Sequence, residues 1–171
     1  MRLLRLFVIS IIILFLVFTG ISLWIPQQIS ITRTIDIKSS KQKVLEDIND
    51  LQLWDKWNKF TGSPLLAHKK YSNPSSGVGA SMQSDQLSVF ITGNKSDSVK
   101  TAWKQYNGKQ FNGTFVFAEI RPGETVVQWY LDFRFKWYPW EKFSALVYNS
   151  QIGTVMDESL TALKRFAENN P

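Results

Sequence analysis

Val127-Gln128-Trp129-Tyr130-Leu131-Asp132-Phe133-Arg134-Phe135-Lys136 alternates without a break. Val127, Trp129, Leu131, Phe133 and Phe135 fall on one face, while Gln128, Tyr130, Asp132, Arg134 and Lys136 fall on the other. A period of two with this contrast reads as a half-buried strand, here expected over about 124–136. Immediately afterwards the period becomes helical. From about Trp140 to Glu168, a stripe of Ile152, Val155, Met156, Leu160, Leu163 and Ala167 predicts one long amphipathic helix, with Gly153 a candidate bend. A strand that feeds straight into such a helix places two apolar faces next to each other in the chain, and each can cover the other.

Working back from this point, Arg121-Pro122-Gly123 is a hairpin turn. Upstream of it, strands are expected at about 110–120, 98–106, 87–92, 79–84 and 65–71, with a loop at Asn73-Pro74-Ser75-Ser76-Gly77. Near the start, Ile29-Ser30-Ile31-Thr32-Arg33-Thr34-Ile35-Asp36-Ile37 alternates β-branched residues and predicts another strand. Ser39-Ser40 can then cap a helix carrying Val44, Leu45 and Ile48, which Asn49-Asp50 ends. A second short helix is expected within 51–60, with Leu53, Trp54 and Trp57. The order is strand, two short helices, six strands, long helix. One antiparallel sheet with the long helix against its concave face accounts for it, an α+β fold.

Leu6 to Ile25 contains 20 uncharged residues, 15 of them Leu, Ile, Val or Phe. As a helix it would be about 30 Å long, the thickness of a bilayer's hydrocarbon core. Trp24 stands where an interfacial aromatic belongs, and Pro26 ends the run. A cleaved signal peptide would have a shorter apolar core followed by paired small residues, which this segment lacks. Residues 1–28 therefore read as a transmembrane anchor with a short tether, and 29–171 as the domain it carries. Arg2 and Arg5 put the N-terminus in the cytoplasm and the domain on the non-cytoplasmic side, periplasmic or extracellular in a bacterium.

Composition removes several functions. With no cysteine there is no disulfide, thiolate nucleophile or zinc–thiolate site, and His68 is the single histidine. The net charge of +6 comes from scattered lysines and arginines, so a nucleic-acid partner is not expected. The sequence carries no P-loop, dinucleotide fingerprint or metal-ligand spacing. No catalytic residue, metal or cofactor is assigned.

The element order, with Ile35-Asp36-Ile37 closing the first strand, Asn49-Asp50-Leu51 leading into Trp54-Asp55-Lys56-Trp57-Asn58, and Gly77-Val78-Gly79-Ala80 following, resembles the START-like superfamily (SRPBCC). It is most similar to the polyketide cyclase/dehydrase and lipid-transport branch, over about residues 29–168. The resemblance implies a helix-grip fold, a curved antiparallel sheet wrapped around a long C-terminal helix. It also implies an internal cavity for a small hydrophobic or lipid-like ligand. Two departures stand out: Ser39-Ser40-Lys41 replaces the usual proline before the first helix, and the hairpin between Ser84 and Ile91 is shorter than usual.

On that reading the cavity wall is the apolar face of the sheet, Trp103, Phe115, Phe117, Trp129, Leu131 and Phe133, with Met156 and Leu160 from the closing helix. The same aromatics could instead fill the core. Trp54 and Trp57 read as core. Arg33 shares a face with Ile31 and Ile35, so it either pairs with an acid, snorkels at the strand end, or grips an anionic headgroup. His68 reads as a surface residue on a strand without a partner, and Glu46, Asp47, Asp50, Asp157 and Glu158 as solvated helix charges. Trp137, Tyr138 and Trp140 form an aromatic cluster suited to the headgroup layer of a membrane. The expected function is membrane-anchored binding of an apolar small molecule or lipid. The alternatives are a cavity enzyme of the polyketide cyclase type and an interaction protein with a filled core.

Overall fold

The computed structural model describes residues 2–169; Met1 of the expected anchor and residues 170 and 171 of the expected domain lie outside the described residues. In chain order the elements are α1 (Arg2–Trp24), β1 (Gln28–Ile37), α2 (Lys41–Asn49), α3 (Trp54–Trp57), β2 (Lys70–Tyr71) and β3 (Ser81–Gln83). They continue with β4 (Leu87–Lys95), β5 (Ser98–Gln105), β6 (Gln110–Arg121), β7 (Glu124–Arg134) and α4 (Pro139–Asn169). The seven strands form one antiparallel sheet in the order β1-β7-β6-β5-β4-β3-β2. Only the β1–β7 neighbours are distant in sequence, and their ladder runs from Gln28↔Arg134 to Ile37↔Thr125.

The sheet is one curved layer, and α2, α3 and α4 cover one face of it. Ile31, Val89, Val99, Trp103, Phe115, Val127, Trp129 and Leu131 are buried there with Met156, Leu160 and Leu163 of α4. The alternation read from the sequence thus sets the sheet's inner face. Ser40 caps α2 by accepting a hydrogen bond from the Lys43 backbone N–H. Asp50 closes that helix and then bonds Ser75 in the following loop, 2.8 Å away.

Several local expectations change. The 65–71 strand shrinks to Lys70–Tyr71, because His68 adopts a positive φ of 51° and breaks any ladder there. His68 is exposed, as expected, but it has a partner: Asp85, 2.7 Å away across the turn. Asp47 is not solvated. It faces inward with Val44 and Ile48, and Lys43 lies 3.2 Å away. Burial pushes its pKa up, with Lys43 opposing the shift. Asp157 is not merely solvated either, since it pairs with Arg33. Gly153 does not interrupt α4, which is helical throughout.

Candidate ligand-binding site

Two levels must be distinguished on the inner face. The lower level is an aromatic layer. Trp54 and Trp57, three residues apart on the single turn of α3, drop onto the sheet with ring centroids 5.6 Å from Trp103 and 6.1 Å from Phe115 respectively. Phe115 and Trp129, cross-strand partners on β6 and β7, stack at 4.8 Å. Gly113 makes this possible: a Cβ there would lie 2.5 Å from Thr101 Oγ1 and 2.9 Å from Trp103 Nε1. The Trp103 indole N–H therefore reaches over Gly113 and donates to Thr101 Oγ1 at 2.9 Å.

Phe117, Leu131, Met156 and Leu160 complete this level, and all four are buried. Trp129 is fully buried too, and its indole N–H has no hydrogen-bond partner. Phe60 lies edge-on above it, 5.9 Å away, and makes the same kind of contact with Trp103. Phe60 separates this layer from the second level.

That second level is an open cleft of about 460 Å³ between α4, the 59–66 segment and the ends of β4, β5 and β6. Its apolar wall is Phe60, Leu66, Leu87, Trp103, Phe111, Phe133, Ile152 and Val155. Lys59, Gln86, Gln105 and Asn107 contribute polar groups. Phe111 bridges two rings, stacking at 5.5 Å on Trp103 and 4.7 Å on Phe133. Of the eight residues expected to line a cavity, Trp103 and Phe133 reach the cleft. Phe115, Phe117, Trp129, Leu131, Met156 and Leu160 do not line it.

Arg33 lies elsewhere. Its Nε donates to Asp157 at 3.0 Å, and its guanidinium also reaches the carbonyls of Thr32 and Asn149. This is the acid-pairing alternative, with the difference that Asp157 is well exposed. Gly153 is the reason the arginine can lie against α4, since a Cβ at that position would fall on the guanidinium.

The sequence reading missed Phe60, Leu66, Leu87, Phe111, Ile152 and Val155 as cleft residues. Phe111 and Phe133 are directly paired between β6 and β7, so extending the alternation two steps further along β6, past Gly113, would have found Phe111. Nothing in the sequence marks the 59–66 loop as a wall. Among the described residues, no group of three His, Asp or Glu side chains could hold a metal ion.

Trp137 and Trp140 are about two-thirds exposed, and Tyr138 stacks on Trp140 at 5.1 Å and meets Trp137 at a tilt at 4.9 Å. They precede and open α4, whose next residues meet α1. Lys142 Nζ donates to the Ser22 carbonyl at 2.8 Å, and Phe143 lies edge-on to Phe18 at 5.2 Å. Lys142 and Ser22 are both buried by this contact. Among the described residues, α1 is the one helix long and apolar enough to cross a membrane.

Neither a family profile nor a curated protein matches the sequence. Solved structures do match in fold. A START superfamily protein from Mycobacterium smegmatis is 14% identical, with a TM-score of 0.59 over 83% of this chain and 99% of the other. Norcoclaurine synthase from Thalictrum flavum, in complex with dopamine and hydroxybenzaldehyde, is 9% identical, with a TM-score of 0.60 over 84% of this chain and 88% of the other. DynU16, a protein from the dynemicin biosynthetic locus, is 12% identical, with a TM-score of 0.56 over 80% of this chain. This chain spans 46% of DynU16's length. The fold is the START-like helix grip.

Proposed function

We propose that this protein binds a small apolar or amphiphilic molecule in the cleft between α4 and the sheet, while α1 anchors it to a membrane. The observation that carries this reading is the cleft itself. About 460 Å³ lies within the range of small-molecule sites, and the wall is mainly aromatic and aliphatic with a few hydrogen-bonding groups. Each Å² of apolar surface buried there contributes about 25 cal/mol, so a modest ligand gains several kcal/mol before association costs. The helix-grip neighbours support the class of function and leave the ligand open.

The cleft is extendable in a defined direction. Rotation of Phe60 would uncover Trp129, whose unpartnered indole N–H then offers a hydrogen-bond donor to a ligand's carbonyl or hydroxyl. In this way the aromatic layer, including Trp129 and its neighbours Phe115 and Leu131, becomes the floor of the site. A cyclase-type enzyme is the second reading, favoured by the structural likeness to norcoclaurine synthase. The titratable side chains on the cleft wall are Lys59 and Tyr106, and either would have to serve as its acid or base.

The test uses the detergent-solubilised full chain and 11-(dansylamino)undecanoic acid. The wild type is expected to enhance and blue-shift dansyl emission. Val155→Phe, which fills the cleft from α4, should weaken that binding at least several-fold without loss of folding. Native mass spectrometry of the same preparation should show a co-purified apolar molecule displaced by the probe. No dansyl enhancement with wild type, or equal enhancement with Val155→Phe, would refute binding in this cleft.

A further inference from the structure

We infer that the cleft opens onto the bilayer and takes its ligand, a membrane-resident amphiphile, directly from it. This inference rests on the cleft-binding reading above and on α1 lying in the membrane. Its warrant is the way the anchor is joined to the sheet.

Ile25, Pro26 and Gln27 separate the end of α1 from the start of β1. Such a link spans at most about 14 Å, so the Gln28 end of the sheet must face the bilayer. The join is also braced. Lys142 places a buried ammonium on a carbonyl in the last turn of α1, where the helix dipole favours a cation. Phe143 meets Phe18, six residues before Trp24, so the first turn of α4 lies alongside the outer part of the apolar run.

Strand register carries this orientation across to the cleft. Gln28 pairs with Arg134, Phe133 with Phe111, Phe111 with Trp103, and Gln105 with Leu87. The β5–β6 hairpin at Tyr106–Lys109 and the β3–β4 hairpin at Ser84–Gln86 therefore lie at the same end as Gln28. Lys109 confirms the level independently, since its Nζ is 3.6 Å from Glu141 in the first turn of α4. Tyr106, Asn107, Gln86 and Leu65 line the cleft, so its mouth lies at this end.

The surface at that end suits a bilayer interface. Among the described residues outside α1, the exposed aromatic rings are Tyr106, Trp137 and Trp140, and all three are here, at the end of the sheet nearest the 92% exposed Trp24 that ends α1. Leu65 on the cleft rim is 75% exposed. Trp and Tyr are favoured at headgroup depth, where a ring is half in hydrocarbon and half in water. The opposite hairpin, between β4 and β5, carries Asn94, Lys95, Ser96 and Asp97. An amphiphile entering between Tyr106 and Leu65 would bring its apolar part against Phe111 and Phe133 and leave its polar end among Gln86, Gln105 and Asn107.

The chain has no cysteine, so single labels are unambiguous. Nitroxides are attached to Tyr106→Cys and, separately, Ser96→Cys in the full chain, reconstituted in vesicles of phosphatidylcholine and phosphatidylglycerol. The Tyr106 label should be several-fold more accessible to oxygen, and less accessible to an aqueous nickel chelate, than the Ser96 label. Equal aqueous exposure of the two labels overturns the inference, even if the detergent-solubilised protein binds the dansyl acid. A second arm places 11-(dansylamino)undecanoic acid in the vesicles and measures energy transfer from the protein's tryptophans. Transfer that falls in Val155→Phe supports loading from the bilayer. A shielded Tyr106 label with transfer unchanged by Val155→Phe means that the surface docks but the cleft does not load, which overturns both the inference and the binding reading.

Discussion

Gly153 and Arg33 act as one unit. A glycine in the interior of a helix costs about 1 kcal/mol relative to alanine, yet α4 carries one because the guanidinium of Arg33 occupies the space a Cβ would need. Gly153→Ala should displace Arg33 from Asp157 and the Asn149 carbonyl, and those losses offset the gain in helix propensity. In the wild type the net effect should stay within about 0.5 kcal/mol, because the ion pair is partly exposed. In an Arg33→Ala background the same change should stabilise by about 1 kcal/mol, so unfolding of the four proteins of the cycle should reveal non-additivity. Additive effects would mean that the guanidinium does not occupy that space. His68 offers a second test at this scale. Asp85 raises its pKa above the ordinary imidazole value through their hydrogen bond and charge attraction. Protonation then stabilises the fold: the contribution is full below the unfolded-state pKa of about 6.5 and is lost as pH rises through the raised folded value. With one histidine in the chain, its NMR titration is read directly, and the midpoint should fall in Asp85→Asn.

At the scale of elements, the aromatic layer and the cleft are stacked, and they should respond oppositely to added volume. Leu131 on β7 and Leu160 on α4 are buried to within 1% and meet the ring layer. Leu131→Phe or Leu160→Phe should therefore overpack, lowering stability by about 1–3 kcal/mol in thermal or denaturant unfolding. Both sites were expected from sequence to line an open cavity. If either substitution is stabilising and also blocks the dansyl acid, the cavity extends below Phe60 without any rotation of that ring. The single turn of α3 matters because it delivers Trp54, Trp57 and, just beyond, Phe60. Its attachment is firm: Trp54 Nε1 donates to the Ile48 carbonyl at 2.7 Å, and the Lys59 N–H donates to Ser159 Oγ on α4 at 2.9 Å.

Across the whole molecule, α1, sheet and closing helix are coupled end to end. α4 starts against α1 through Lys142 and Phe143, passes Arg33 at Gly153, and finishes beside β1, where Lys164 donates to the Asp36 carbonyl and Glu168 accepts from the Lys38 N–H. Such a helix cannot pivot at one end without straining contacts at the other. On the binding reading proposed above, movement that admits a ligand falls to residues 60–66, whose hydrogen bonds reach only Asn58 and Ser63.

Read alone, the sequence determined the N-terminal apolar helix, the count and order of the elements after it, and which face of the first and the last three strands turns inward. These follow from local periodicity and composition, which a chain carries in itself. It also singled out Trp103 and Phe133, which line the cleft, and the exposed pair Trp137 and Trp140. What only the tertiary structure decided is depth along those faces. Alternation says that Trp129, Leu131 and Phe133 share a side but not that Phe60 covers Trp129 and leaves Phe133 at the mouth, because that depends on a loop about 70 residues away. The partners of Arg33, Asp47 and His68 were hidden for a related reason. Asp157 and Asp85 are brought to Arg33 and His68 by the fold, and the burial of Asp47 follows from which face of a nine-residue helix meets the sheet. Period fixes direction over a few residues, while depth and partnership come from packing between elements that the sequence holds far apart.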